Sequence, residues 1–375
     1  MISLVIGGDL CAGPRSTAHL EKGDGAAVFG ELAAALNSAD FALANLEGPL
    51  VGKPSPITKI GPHHTFPEDC IKGIRAAGFH LLNLGNNHTM DHGWVGLQNT
   101  IRLCEQNGLM HVGAGEDLNA AAKIWIQEIK GVRLAIMSLT EHEFGLATLS
   151  SPGTNPLDTI EFVRSIQAHR NQWDCLVILL HAGNEYYQYP RPGLQQLCRF
   201  MIEQGAEAVI CQHSHCVGAQ ERYRDGYILY GQGNLLCDDP SQPCESEGVL
   251  VTLRISKDKP IAVELTPFTH QSGRPGPTLM TPPQRQQLFA DLEKRSVAIQ
   301  DPQFVAQHWE DFCQRTPYNY LGLLHGYPKR MRELDQKFPF IKRLHSAERR
   351  LMLLHLLRCQ SHHEALMSAL NATLK

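Results

Sequence analysis

The amino-acid sequence predicts a layered α/β fold with mixed sheets and a helical extension. Three observations carry this. Strand-like apolar runs alternate with helical patterns from the first residues to about Thr269, the pattern of layered α/β packing. Two pairs of runs are joined by short turns, at Lys130-Gly131 and at Lys257-Asp258-Lys259, so the sheets cannot be purely parallel. Beyond a Pro-, Gly-, Ser- and Thr-rich stretch at 271–283, only helical patterns follow.

Short apolar runs bounded by polar or Gly residues place strands at Ser3–Gly7, Phe41–Asn45, His80–Leu84, Lys123–Ile129, Val132–Ser138 and Cys175–Leu180. The same reasoning adds Ala208–Cys211, Tyr227–Tyr230, Val249–Ile255 and Ile261–Leu265. Between them, helical periodicity covers Val28–Ser38, Glu68–Ala77, Gly93–Asn107, Asp158–Gln172 and Pro192–Gln204. The extension reads as helices Gln284–Ile299, Pro302–Gln314, Ala347–Cys359 and His362–Leu374, with Met352 to Leu357 marking a buried helix face. The expected organisation is a main domain over 1–270, a linker over 271–283 and a helical extension over 284–375. The irregular segment Gly48–Pro67 holds five prolines, Pro49, Pro54, Pro56, Pro62 and Pro67, and its length suggests a functional loop.

Composition narrows the function. With 375 residues, 43% hydrophobic and 19% charged, the chain can bury a full core. A net charge of −4 supplies no global basic field and argues against nucleic acid as a partner. No window reaches the ~18 apolar residues of a membrane span. Met1 to Ile6 enters the first strand without a basic leader, which reads as cytoplasmic. The 11 cysteines lack metal-knuckle spacing and read as reduced thiols, several in the core. Neither a Gly-x-Ser-x-Gly nor a phosphate-loop motif is present, and Tyr230-Gly231-Gln232-Gly233-Asn234 is not a dinucleotide fingerprint.

Five apolar runs end directly on groups able to bind metal. They reach Gly8-Asp9, Asn45-Leu46-Glu47, Asn86-Asn87-His88, His181 and Gln212-His213-Ser214-His215. Neighbouring strands of one sheet bring such ends to a common edge, where open α/β sheets hold their ligands. Asp, Glu, Asn and His are the donors that hard or borderline divalent ions take. Each motif also has a plainer reading. Asp9 could start a turn, Glu47 could sit in a surface ion pair, and the Asn86 to Gly93 segment could be a polar turn. His181 could be a core histidine satisfied by backbone. Period-two alternation points Asn45 and Glu47 to one side. His88 could donate a proton to a leaving group, with Asp91 orienting it or capping the following helix. Glu185, four residues after His181, could fix an imidazole tautomer or touch substrate. Cys11, two residues after Asp9, reads as a soft ligand, a reactive thiol or a small buried residue.

Taken together, Gly8-Asp9, Asn45-Leu46-Glu47, Asn86-Asn87-His88 with Asp91 and Gly93, His181-x-Gly183-x-Glu185, His213-x-His215 and Tyr230-x-x-Gly233-Asn234 resemble the bacterial capsule-synthesis CapA-like (PGA-cap) family, a relative of the calcineurin-like metallophosphoesterases. The resemblance covers about residues 1–270. It implies a four-layer α/β/β/α sandwich with a site at one sheet edge. Asp9, Glu47, Asn87, His181, His213 and His215 would be the ligands of one or two divalent ions (Mn, Zn, Fe or Mg), with His88 as general acid. Asp9-Leu10-Cys11 departs from the Asp-x-His of the phosphoesterases, which puts one metal position in question.

Three functions are consistent with this. The first is metal-assisted hydrolysis of a phosphoester or an anionic, polyglutamate-like substrate. Metal-bound hydroxide would be the nucleophile, and Asn45, Lys59, Arg191, Arg222 and Asn234 would contact substrate. The second is metal-independent epimerisation or amide processing with a histidine base. The third is a non-catalytic accessory role in capsule or polymer biosynthesis. Partners would be a small anionic or peptide-like substrate and, at most, a second copy of the chain.

Overall fold

The computed structural model describes all residues except 12, 239, 241, 258, 272, 316–323, 325, 339, 341–345 and 374–375. It divides into two compact units, Met1–Val305 and Ala306–Lys375. In chain order the strands are β1 (Ile2–Cys11), β2 (Phe41–Leu46), β3 (Leu81–Asn83), β4 (Met110–Val112), β5 (Ala114–Gly115), β6 (Trp125–Ile129), β7 (Val132–Thr140) and β8 (Gly153–Thr154). They continue as β9 (Cys175–His181), β10 (Ala208–Gln212), β11 (Gln220–Tyr223), β12 (Gly226–Leu229), β13 (Asn234–Cys237), β14 (Glu247–Ser256), β15 (Lys259–His270) and β16 (Pro277–Leu279).

One sheet has the order β16-β15-β14-β1-β2-β3-β4, with β13 also pairing with β1. The other runs β11-β12-β10-β9-β7-β6. The central strands of each sheet, β1 to β4 and β7-β9-β10-β12, are parallel, and the flanking strands are antiparallel. The sheets are therefore mixed, as the two hairpins require. The β6–β7 turn places Lys130 and Gly131 both at positive φ, 48° and 80°.

Alternation along each strand builds the layers. Ile2, Leu4, Ile6, Leu43 and Leu81 of the first sheet share an apolar cluster with Val132, Leu134, Val177, Leu179 and Ile210 of the second. Their neighbours turn the other way. Val5, Ala42 and Leu82 pack with residues of the helices Leu32–Ser38, Cys70–Ala76 and Gly93–Gln106, while Leu176, Ile178 and Val209 pack with Thr159–His169 and Pro192–Glu203. The result is the four-layer α/β/β/α sandwich.

Three expectations change. The helix foreseen over Val28–Ser38 is two, Gly25–Phe29 and Leu32–Ser38, because Gly30 turns at φ +48° and ψ −124°, a conformation that only glycine adopts without strain. The compact unit runs past 270. Pro277–Leu279 adds a strand to β15, and Leu288 and Leu292 of the helix Pro282–Ala298 are buried in the inter-sheet cluster. Finally, Met352 to Leu357 is not a buried face. In the helix Ala347–Arg358, Leu351, Met352, Leu354 and Leu357 are 67%, 59%, 39% and 47% exposed. A contiguous run turns about 100° per residue, so it surrounds the helix rather than lining one side.

Candidate metal centre between the sheets

The inward-facing rows change chemistry at the carboxyl ends of the strands. In β9 the row reads Val177, Leu179, His181; in β10, Ala208, Ile210, Gln212; in β2, Phe41, Leu43, Asn45; in β3, Leu81, Asn83. The slot between the sheets thus passes from aliphatic to polar. Asn83 Nδ2 donates across it to Gln212 Oε1 at 3.3 Å, and Gln212 Nε2 donates to the Gly7 carbonyl at 3.1 Å.

Asp9 enters the slot by a different route. Simple alternation would point it outward with Val5. However, Ile6 pairs with Leu43 and Asp9 with Asn45, so β1 carries one extra residue there. This bulge re-aims Asp9 toward the partner sheet, as bulges beside binding sites commonly do. Gly8 permits the tight path, since a Cβ there would lie 2.1 Å from the Gly233 carbonyl oxygen. Asp9 Oδ2 then accepts from the His213 backbone N–H at 3.0 Å.

The six expected ligands converge. His181 Nε2 lies 3.0 Å from Asn87 Oδ1 and 3.6 Å from Glu47 Oε1. The His181 and His213 rings are 4.7 Å apart. His215 Nδ1 lies 3.7 Å from Asp9 Oδ2 and 4.0 Å from Glu47 Oε2. Both histidines after β10 are held at positive φ, 94° for His213 and 54° for His215. Non-glycine residues are held there only when their surroundings enforce it, and functional sites are where such strain collects.

Beside this group, His88 Nδ1 sits 2.7 Å from Asp91 Oδ2, and Lys59 ion-pairs with the other Asp91 oxygen. Lys59 and His64 both come from the long Gly48–Pro67 loop. The His64 ring stacks on His88 with centroids 3.9 Å apart.

Several expected substrate contacts lie elsewhere. Asn45 is fully buried behind the expected ligands, donating to Asp9 Oδ1 at 2.7 Å and lying 3.4 Å from His181 Nδ1. Asn234 is buried as well, 2.8 Å from His215 Nδ1. Lys59 is spent on Asp91, and Arg191 pairs with Glu141 at the rim. Glu185 is exposed in the turn after His181, whose ring nitrogens face Asn45 Nδ2 and Asn87 Oδ1 instead; its charge favours protonation of His213 and His215. Arg222 is at the wrong end of its sheet. It sits opposite Tyr227, which pairs with Ala208 at the start of β10. Four residues, roughly 13 Å, separate that level from Gln212. Sequence reasoning also missed His64 and Asn83, and it named Gln212 at the end of its apolar run without giving it a role. The last two were legible as the polar ends of inward-facing rows; His64 carried no signal.

The electrostatics favour a cation. Burial pushes Glu47 up, and Asp9 adds to the rise, to about 7. Burial holds His181 well below its usual value, helped by His213, and lowers His213 too, so both rings favour the neutral, ligating form. Burial would also lower His215, but Glu47 and Asp9 outweigh it and raise the ring to about 9. Glu47 Oε1 and His213 Nδ1 are buried without a hydrogen-bond partner. Such orphaned atoms are costly unless a ligand satisfies them. Glu47, His181 and His213 form a set of donor atoms within 4.8 Å of one another, as do Cys11, Glu47 and His215. The donors are N, O and S groups suited to a divalent ion, so the residues fit one.

Residues 3–239 match the family described as bacterial capsule synthesis protein PGA_cap. The capsule biosynthesis protein CapA of Bacillus anthracis is 27% identical over 259 residues, covering 67% of this chain and 63% of that protein, so the chain spans less than two thirds of that relative. The PGA biosynthesis protein CapA of Bacillus subtilis (strain 168) is 26% identical over 293 residues, covering 77% of each. Among solved structures, a 5'-nucleotidase precursor from Thermus thermophilus overlaps 85% of this chain and 59% of its own, with 15% identity and a TM-score of 0.44. Among the described residues, no helix is long and apolar enough to cross a membrane.

Proposed function

The chain belongs to the bacterial capsule synthesis protein PGA_cap family, and on that premise we propose that it is a metal-dependent hydrolase acting on a phosphoester or on an anionic, polyglutamate-like substrate. The observation that carries this reading is Glu47. It is fully buried, one of its oxygens has no hydrogen-bond partner, and it belongs to both donor sets. The Cys11 thiol and His215 face the other oxygen, so the unpartnered one is the place where a cation would offset the cost of burial.

Asp9, Glu47, Asn87, His181, His213 and His215 would hold one or two divalent ions. Such an ion supplies Lewis acidity, polarising a phosphoryl or acyl oxygen and acidifying water. The chain's own part is proton delivery and positioning. Because His88 Nδ1 bonds to Asp91 Oδ2, its transferable proton sits on Nε2, free to pass to a leaving group. Asp91 orients the ring through Nδ1, and Lys59 pairs with the remaining carboxylate oxygen. His64 covers one face of His88, which limits water there. Burial and His88 hold His64 down to about 4, so near pH 7 this ring adds no positive charge. The names of the two Bacillus relatives tie those proteins to capsule and PGA biosynthesis; we carry that to this chain as the polymer part of the proposal.

The test is hydrolysis of chromogenic phosphodiester and γ-glutamyl amide substrates by the full chain, before and after chelation. Turnover lost in chelator and restored by Mn²⁺ or Zn²⁺ supports the reading. Turnover indifferent to chelation overturns it.

A further inference from the structure

We propose that Cys11 is a thiolate ligand of the second cation position, so that one half of the centre selects a soft or borderline divalent ion such as Zn²⁺, Fe²⁺ or Co²⁺ over Mg²⁺. This rests on the metal-dependent reading above and adds to it a residue and a selectivity.

The geometry is that of a donor set. The β1 bulge turns Asp9 inward, and Cys11, two residues on, follows to the same side. Its Sγ lies 2.8 Å from Glu47 Oε2, and Cys11, Glu47 and His215 offer donor atoms within 4.8 Å of one another. Ligands around a tetrahedral zinc ion at about 2.0–2.3 Å stand roughly 3.5 Å apart. Cys11 Sγ and Glu47 Oε2, at 2.8 Å, need only a small separation to reach that spacing, and a His215 donor atom lies within 4.8 Å of both. The other Glu47 oxygen is buried and unpartnered, facing His181, so the carboxylate reaches both donor sets at once. One Glu47 oxygen therefore serves an all-nitrogen-and-oxygen set, and the other serves a set containing sulfur.

The two halves differ in what they prefer. Thiolate favours softer ions more strongly than the other half does, where the His181 and His213 imidazoles with the Glu47 carboxylate suit borderline ions. Binding exchanges the thiol proton for the metal: the S–H bond breaks, an S–metal bond forms, and the proton, now donated to Glu47, leaves to solvent. No oxidant or reductant is involved.

The experiment is a Co²⁺ titration of the metal-stripped full-length chain, read by absorption and bound-metal stoichiometry. The expected result is a near-ultraviolet thiolate-to-Co²⁺ charge-transfer band. Cys11→Ser should lose the band and keep the Glu47–His181–His213 equivalent. Cys237→Ser, which alters the residue paired with Cys11 across β13, should keep it. In Cys11→Ser, Zn²⁺ affinity at one position should weaken by more than about tenfold, the least that loss of even an outer partner costs. Stoichiometric Co²⁺ binding without a thiolate band, or a band that survives in Cys11→Ser, overturns the assignment of Cys11 alone. Failure of the wild-type chain to bind Co²⁺ at all overturns the metal-dependent reading and this inference with it.

Discussion

The two ends of strands β9, β10 and β12 carry opposite chemistry on the same scaffold. At the carboxyl ends, His181, Gln212 and the His213–His215 turn meet Asp9, Asn45 and Glu47 of the facing sheet, largely out of solvent. At the amino ends, Arg222 lies exposed against the Tyr227 ring, 5.2 Å from its centroid, in a cleft shared with Phe289 and Glu293. By composition, Arg222 is the better anion binder. By strand direction it belongs to the other edge, because β11 runs antiparallel to β12 and returns the chain away from the site. Converging strand direction, rather than charge, marks the end of this sandwich that holds the candidate site.

Substitutions at the two ends sharpen that contrast. Glu47→Gln removes the carboxylate shared by both donor sets. It should lower metal affinity by more than about 100-fold and take hydrolysis to background, as measured by elemental analysis and turnover after desalting. His88→Asn should lower kcat by about 10² to 10⁴-fold while leaving metal content unchanged, which separates proton delivery from cation binding. Asn45→Ala removes the amide that orients Asp9 and borders His181, and should weaken metal binding about 10- to 100-fold by calorimetry. At the far end, Arg222→Ala should leave metal content and turnover within about twofold, the range of ordinary surface substitutions. A larger loss there would break the contrast between the edges.

Much of this centre was legible before any coordinates. Long apolar runs fix strands because their burial leaves few alternatives, and a polar residue closing such a run marks where the strand meets the sheet edge. That logic picked out Asp9, Glu47, His181 and the His213–His215 pair, which the structure brings together. It read Asn45 and Asn234 as substrate contacts because a strand end does not reveal depth; both are buried, bonded to Asp9 and to His215. The bulge after Ile6 left only Gly7-Gly8 as a trace, yet it is what turns Asp9 inward. Short strands such as Met110–Val112 and Pro277–Leu279 escaped because three residues carry no periodicity. The apolar run Met352 to Leu357 misled for the opposite reason, since it names no single helix face. Arg222 required the pairing register, which no local pattern contains.

The most direct test is crystallography of the Zn²⁺-loaded full-length chain with anomalous scattering. The account predicts an anomalous peak touching Glu47 and flanked by His181 and His213, with a second at the Cys11 and His215 side of the same carboxylate. Fully loaded protein whose only anomalous peaks lie away from Glu47 would contradict it.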